Sequence, residues 1–194
     1  MEQRWFAPNE TQVDIIPASD AALAADELIW SSGFRMNLAG FGLAFQLGER
    51  VALGAEVAVL VAPLSVLVIL KMAAYLDRPA EREHDLDDLA EILEYGVRPD
   101  DEERYTDDVH DLGLSYEQAG AFVLGRRVAA VAGAGEKRLV GDFVRRSLDP
   151  DARQQVLHLL ASRGPVGWNR DVEQARPRMM AFDAGFQGST SSTP

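Results

Sequence analysis

The sequence of 194 residues contains no cysteine. Disulfides, thiolate zinc sites and cysteine nucleophiles are therefore excluded. Positive charge is also scarce, because 19 Lys and Arg stand against 31 Asp and Glu and give a net charge of -12. A protein this acidic repels nucleic acid at long range, so non-specific DNA binding is not expected. Any ligand that carries phosphate would need a local cluster of cations.

Long hydrophobic runs are rare as well. The N-terminal sequence MEQRWFAPNETQVD lacks the basic segment and apolar run of a signal peptide, so the cytoplasm is the expected location. One stretch, Ala55 to Leu76, is as long as the ~20 residues of a membrane-spanning helix. It contains Glu56, Pro63 and Lys71, and its first part is short and β-branched. We interpret it as a buried strand, a proline break and a buried helix.

The N-terminal third contains the predicted strands. Polar and apolar residues alternate over 10–17, which predicts one strand, and a hairpin is predicted from Val51 to Leu53 and from Glu56 to Val61 around a tight turn at Gly54. Glycines punctuate 18–50, where one or two short helices are expected. The sequence thus predicts an α+β fold, with a short mixed or antiparallel sheet followed by a helical C-terminal half.

Helical periodicity begins at Pro63. It predicts helices over 64–77 and 84–95, an acidic solvated loop over 99–111, and helices over 115–131 with Ser115 as N-cap, 136–146 and 151–162. We expect one domain over 1–162, with a strand-rich part at 1–62 and a helical part at 63–162. The apolar periodicity fades at Arg163, which predicts a loosely ordered tail over 163–194.

Charged residues stand at helical spacings within the first two helices. Lys71 and Arg78 are seven residues apart, and Asp85 and Asp88 are three apart, so each pair is expected to share one helix face. The short linker predicts antiparallel packing, which would bring the cations against the aspartates. Capping and surface ion pairing alone would account for such a cluster. Lys71, however, interrupts an apolar run, and a buried ammonium needs a partner or a phosphate.

The pattern K-x-x-A-x-x-x-R at 71–78, followed by D-x-x-D-L at 85–89, resembles two motifs of the AbiEii/AbiGii-type toxin nucleotidyltransferases. That family belongs to the polymerase-β-like nucleotidyltransferase superfamily. The preceding sequence is similar too, with a VDIIP strand, a mixed stretch and VAPL opening the helix. The resemblance covers roughly residues 10–95 and implies a partial nucleotidyltransferase fold.

The resemblance also implies an activity, the transfer of a nucleotide from an NTP to an acceptor with Mg²⁺ bridging the triphosphate. It implies that Asp14 is a metal-binding or catalytic carboxylate and that Lys71 contacts the triphosphate. Arg78 and Asp85 would support the bound nucleotide. Asp88 would lie at the acceptor or hold the lysine. The expected cofactors are therefore NTP and Mg²⁺.

Two functions stay open, because the family's opening Gly-Ser motif and Asp-x-Asp pair are not found before Asp14. With one of three carboxylates, the site is expected to bind Mg²⁺ poorly. The first function is a nucleotidyltransferase of the toxin or defence type, if the missing carboxylates are supplied. The alternative is a catalytically inactive remnant that binds protein. It predicts that a cognate antitoxin or a second copy docks on an exposed strand edge.

Overall fold

A computed structural model of the chain describes residues 4–149 and 155–188. The fold is α+β, as predicted, with antiparallel strand pairs in the N-terminal part and helices in the rest. Within the described residues the strands form three separate two-stranded sheets. The short antiparallel pairing that the sequence predicted is present, and it is divided among these three sheets.

Each sheet is a hairpin of consecutive strands. The predicted strand over 10–17 shortens to three residues and pairs with an unpredicted N-terminal strand. The hairpin near Gly54 is confirmed, but its loop spans 53–57 and its strands are exposed, so the expectation of a buried strand is wrong. The strands are β1 (Arg4–Phe6) with β2 (Gln12–Asp14), β3 (Glu27–Ile29) with β4 (Arg35–Asn37), and β5 (Glu49–Ala52) with β6 (Ala58–Val61).

Two short helices lie among the strands, as expected for 18–50, and seven follow in the described chain. Those predicted over 64–77, 84–95 and 115–131 are confirmed almost to the residue. Residues 151–154 of the last predicted helix lie outside the described residues. The helices are α1 (Asp20–Ala24), α2 (Phe41–Leu47), α3 (Leu64–Asp77), α4 (His84–Tyr95), α5 (Asp107–Asp111), α6 (Tyr116–Val131), α7 (Ala134–Leu148), α8 (Gln155–Arg163) and α9 (Val172–Gly188).

The start of α6 shows why local sequence determined these bounds. The Ser115 hydroxyl accepts the backbone N–H of Gln118 at 3.4 Å, and the Gln118 side chain accepts the backbone N–H of Ser115 at 2.8 Å. This reciprocal capping box satisfies two N–H groups that the helix itself cannot bond.

The core lies among the helices, and α6 and α9 approach each other most closely there. A Cβ atom on Gly125 would lie 2.1 Å from the carbonyl oxygen of Phe182, and one on Gly185 would lie 2.0 Å from that of Phe122. Real Cβ atoms do not reach such distances, so glycine is required at both positions. The two backbones are therefore in direct contact.

The expectation of a loosely ordered tail from Arg163 is wrong for residues 163–188. Helix α9 buries Ala175, Met179, Phe182 and Phe186 at spacings of four, three and four residues, which is one helix face. Pro177 and several charged residues obscure this pattern in the sequence. Residues 189–194 of the expected tail lie outside the described residues.

The acidic stretch over 99–111 is not the solvated loop that was expected. It forms a 3₁₀ turn over Glu102–Tyr105 and then α5. Arg127 of α6 contacts Asp101 at 2.7 Å and Glu103 at 2.6 Å, and Arg126 contacts Asp108. The hydrogen bond from Arg127 lowers the pKa of Asp101 against a smaller opposing effect of burial. The acidic segment is therefore anchored to α6.

The stretch from Ala55 to Leu76 divides at Pro63 into a strand and a helix, as the sequence predicted. It contains strand β6, Pro63 and most of α3, which is 14 residues long. None of the helices described for this chain has both the length and the apolar character needed to cross a membrane.

Candidate functional site

Lys71 lies on the α3 face that meets the start of α4. Its neighbours Ile69, Met72 and Ala73 are buried in the core, and its own side chain is 25% exposed. Its Nζ lies 2.8 Å from Oδ1 of Asp85 and 2.5 Å from Oδ2 of Asp88. The helical hairpin thus brings the lysine between the two aspartates, as the short linker predicted.

The ammonium of Lys71 is held in its charged form. Burial alone would lower the pKa of Lys71, but the hydrogen bonds with Asp85 and Asp88 outweigh burial and raise it above the usual value of 10.5. Lys71 therefore stays protonated at neutral pH and is available to an anion only in competition with two carboxylates.

Asp85 is the buried member of the cluster. Its side chain is 9% exposed, and its Oδ2 accepts no hydrogen bond from the described part of the chain. The Nε of Arg82 forms a longer ion pair with that oxygen at 3.4 Å. Sequence reasoning missed Arg82, although its spacing of three residues from Asp85 was the available signal. The cluster therefore contains Arg82 as its second cation.

Asp88 is the open member of the cluster, with a side chain that is 53% exposed. The adjacent Asp87 faces elsewhere and contacts Arg163 of α8 at 3.1 Å and His84 at 3.1 Å. Asp87 thus ties α4 to α8, whereas Asp88 is the carboxylate of the Lys71 cluster that a solute could reach.

The structure does not place Arg78 with Lys71. Arg78 is the C-cap of α3, with φ of -145° and ψ of 72°, so it has left the helix whose periodicity suggested a shared face. It donates a hydrogen bond to the carbonyl of Arg35, and its guanidinium lies 4.1 Å from the ring centre of Phe34. Arg78 therefore attaches the β3–β4 hairpin to the end of α3.

Asp14 is also outside the Lys71 cluster. It is exposed on β2 and forms an ion pair with Arg4 at 3.1 Å. The hydrogen bond from Arg4 lowers the pKa of Asp14, burial opposes it slightly, and Arg82 contributes a weaker Coulombic lowering. Within residues 4–149 and 155–188, Asp14 forms no ion pair with Lys71 and no hydrogen bond to Asp85 or Asp88.

The side chains present do not fit the two Mg²⁺ ions that the resemblance implies. The structure, over the residues that it describes, holds no group of three or more His, Asp or Glu that is able to bind a metal ion. Asp85 and Asp88 already share the charge of Lys71, and Asp14 is occupied by Arg4. A magnesium site needs several free oxygens in octahedral geometry.

Searches of family models, curated proteins and solved structures found no match to the chain. The Lys71 cluster consists of a charged, half-buried lysine and an exposed arginine beside one buried and one open carboxylate. An anionic ligand can bind the Lys71 ammonium if Asp88 moves out of contact with it. The Asp88 carboxylate can act as a general base.

Proposed function

We propose that the chain is a nucleotidyltransferase-like protein of the toxin or defence type whose α3–α4 hairpin forms the triphosphate side of the site. The observation that supports the proposal is the Lys71 ammonium, held charged between Asp85 and Asp88 at the positions of the resembling motifs. In this assignment Asp85 orients the lysine from the buried side. Asp88 lies on the open side, where an acceptor hydroxyl would approach.

The charges set a limit on affinity. Lys71 and Arg82 balance Asp85 and Asp88, so the cluster is neutral in a protein with a net charge of -12. A triphosphate would have to displace Asp88 from Lys71 and would meet long-range repulsion. We therefore expect this chain to bind NTP weakly. We expect no nucleotide transfer unless further carboxylates are supplied to bind Mg²⁺.

Calorimetric titration with each of the four NTPs tests the assignment. The wild-type chain should bind at least one NTP weakly, and Lys71→Ala should weaken that binding about tenfold, as loss of a charge-assisted contact predicts. Lys137→Ala is the matched control, because Lys137 is the other lysine of the sequence and lies on α7, away from the cluster. No NTP binding by the wild type, or equal binding by Lys71→Ala, would remove the support.

A second candidate function is that of a protein-binding module without catalysis. The specific observation in its favour is the β5–β6 hairpin, whose eight strand residues are all exposed although most are apolar. This candidate is tested by measuring whether the chain binds another polypeptide through the hairpin, and nucleotide binding does not bear on it. Because Lys71 is on α3 and pairs with Asp85 and Asp88 of α4, Lys71→Ala should leave association through these strands unchanged.

A further inference from the structure

Strand β6 is an edge strand without charge. The sequence from Val57 to Leu70 contains no Asp, Glu, Lys or Arg, and β6 lies near the start of this stretch. Val57, Val59, Leu60 and Val61 are all exposed. An uncharged, β-branched and exposed strand has the composition that favours pairing with a further strand.

The other two hairpins differ in just this respect. Arg4 and Asp14 are directly opposite on β1 and β2 and form an ion pair, and Arg35 on β4 binds Glu27 on β3 at 2.7 Å. Charges on edge strands oppose strand addition, because a pairing strand would have to accommodate them. Strands β5 and β6 have such charges only at the start of β5, at Glu49 and Arg50, and the loop of the hairpin adds Glu56.

The backbone of β6 has hydrogen-bonding groups to offer. The N–H of Leu53 bonds the carbonyl of Val57 at 2.8 Å, and hydrogen-bonded pairs alternate along an antiparallel ladder. Val59 and Val61 therefore bond to β5, whereas the N–H and C=O groups of Ala58 and Leu60 point outward. Nothing in the described part of the chain bonds these outward groups.

One apolar face accompanies this edge. Val51 is opposite Val59, and Leu53 is opposite Val57, so these four residues lie on the same side of the hairpin together with Val61. Glu49, opposite Val61, is the charged residue at the far end of this face. All five apolar side chains are exposed. A strand that pairs with β6 would extend this face if its own residues were apolar at alternate positions.

We propose that β6 pairs antiparallel with β6 of a second copy of this chain, with the two-fold axis at Val59. In this register Ala58 is opposite Leu60 of the second copy, so the outward backbone groups of the two strands bond each other. Val57 is opposite Val61, which continues the apolar face across the seam. The second copy fits because it provides an uncharged strand of the same length whose free groups match by symmetry.

The size and charge of the contact determine how strong the association is. Edge pairing of short strands buries less than the roughly 800 Å² per partner of a standard interface, so a weak, transient dimer is expected. The net charge of -12 on each chain opposes association, and salt screens that repulsion. The dimer should therefore strengthen as NaCl is added.

Sedimentation equilibrium of the full chain, from low micromolar to near millimolar concentration, measures this association. Val59→Lys should weaken dimerisation about tenfold or more, because two like charges would be directly opposite at the axis. Ile29→Lys is the matched control, since Ile29 is an exposed strand residue of the β3–β4 hairpin. It should dimerise like the wild type. Circular dichroism of each variant reports whether the helices are retained.

A charge swap tests the register itself. Val59→Asp alone should be as monomeric as Val59→Lys, whereas an equimolar mixture of the two variants should form a heterodimer, because opposite charges then meet at the axis. The heterodimer requires both variants to be folded, so it separates loss of pairing from loss of structure.

Three results would overturn the proposal. They are a wild-type chain that stays monomeric at every concentration, a dimer that tolerates Val59→Lys, and a mixture of the charge variants that does not associate. A monomer that binds another polypeptide through β6 would assign this edge to a different partner. The proposal does not depend on NTP binding, so either can fail alone.

Discussion

The helical part of the molecule buries its apolar side chains, whereas the strand hairpins leave most of theirs exposed. From Val66 onward the helices bury a continuous core, whereas Leu38 is the one hydrophobic residue before Val66 that is buried in the described chain. Most of the exposed large apolar side chains, such as Trp5, Phe6 and Leu60, lie on or beside the hairpins. A helix buries its face against one neighbour, but a two-stranded hairpin needs a third strand or a packed layer to do so.

This contrast predicts large effects for substitutions in the helical core and small ones in the hairpins. The largest is expected at Glu94, which accepts the indole N–H of Trp168 at 2.8 Å and pairs with Arg178. The Arg178 side chain is 7% exposed, so Glu94→Ala would leave a buried guanidinium without its carboxylate. The expected loss is about 3–5 kcal/mol in the free energy of unfolding.

Urea unfolding measures that loss. Glu91→Ala is the control, because Glu91 lies on the exposed side of the same helix. It should change the free energy by less than about 0.5 kcal/mol. Equal effects of the two substitutions would show that the buried ion pair does not contribute to the core.

A smaller but still large effect is expected where α6 contacts α9. Gly185→Ala would place a Cβ 2.0 Å from the carbonyl oxygen of Phe122, so the helices must separate. The expected loss is about 2–3 kcal/mol. Gly141→Ala on α7 has open space around its Cβ and should instead stabilise the protein by about 0.5–1 kcal/mol, because alanine favours the helix. Thermal or urea unfolding of both variants gives the sign directly.

The Lys71 cluster should contribute an intermediate amount. Lys71→Met keeps the apolar stem but removes the cation from Asp85, which should cost about 1–3 kcal/mol at neutral pH. Because folding raises the pKa of Lys71 above its usual 10.5, the contribution is complete below about pH 10.5 and disappears as the pH rises through the folded value.

The difference in unfolding free energy between wild type and Lys71→Met should therefore be constant near neutrality and shrink in strong alkali. Urea unfolding at several pH values measures it, with Lys137→Met as the control for general alkaline destabilisation. A difference that stays the same above pH ~10.5 would contradict the raised pKa.

The smallest effect is expected in the first hairpin. Trp5 is 62% exposed, so Trp5→Ala should change the free energy of unfolding by less than about 0.5 kcal/mol. Asp14→Asn should be equally mild, since its ion pair with Arg4 is exposed to solvent. If Trp5→Ala lowered the free energy of unfolding by several kcal/mol, the first hairpin would be covered in solution. The helical core and the hairpins would then not differ in burial as described.

Local sequence predicted the elements whose signals are local. The apolar spacing of α3, α4 and α6 and the capping box at Ser115 gave bounds that the structure confirms. The β3–β4 hairpin was missed because three-residue strands show almost no alternation. The helix α9 was missed because Pro177 and its charged residues hide the apolar face that Phe182 and Phe186 complete.

The candidate site divides in the same way. Lys71, Asp85 and Asp88 meet because their positions on two helices joined by a short linker follow from helical geometry, which the sequence determines by itself. The places of Arg78 and Asp14 were decided by the tertiary structure. Arg78 caps α3 and donates a hydrogen bond to the carbonyl of Arg35 on the β3–β4 hairpin. Asp14 forms an ion pair with Arg4. Such partners come from chain folding, and no local pattern encodes them.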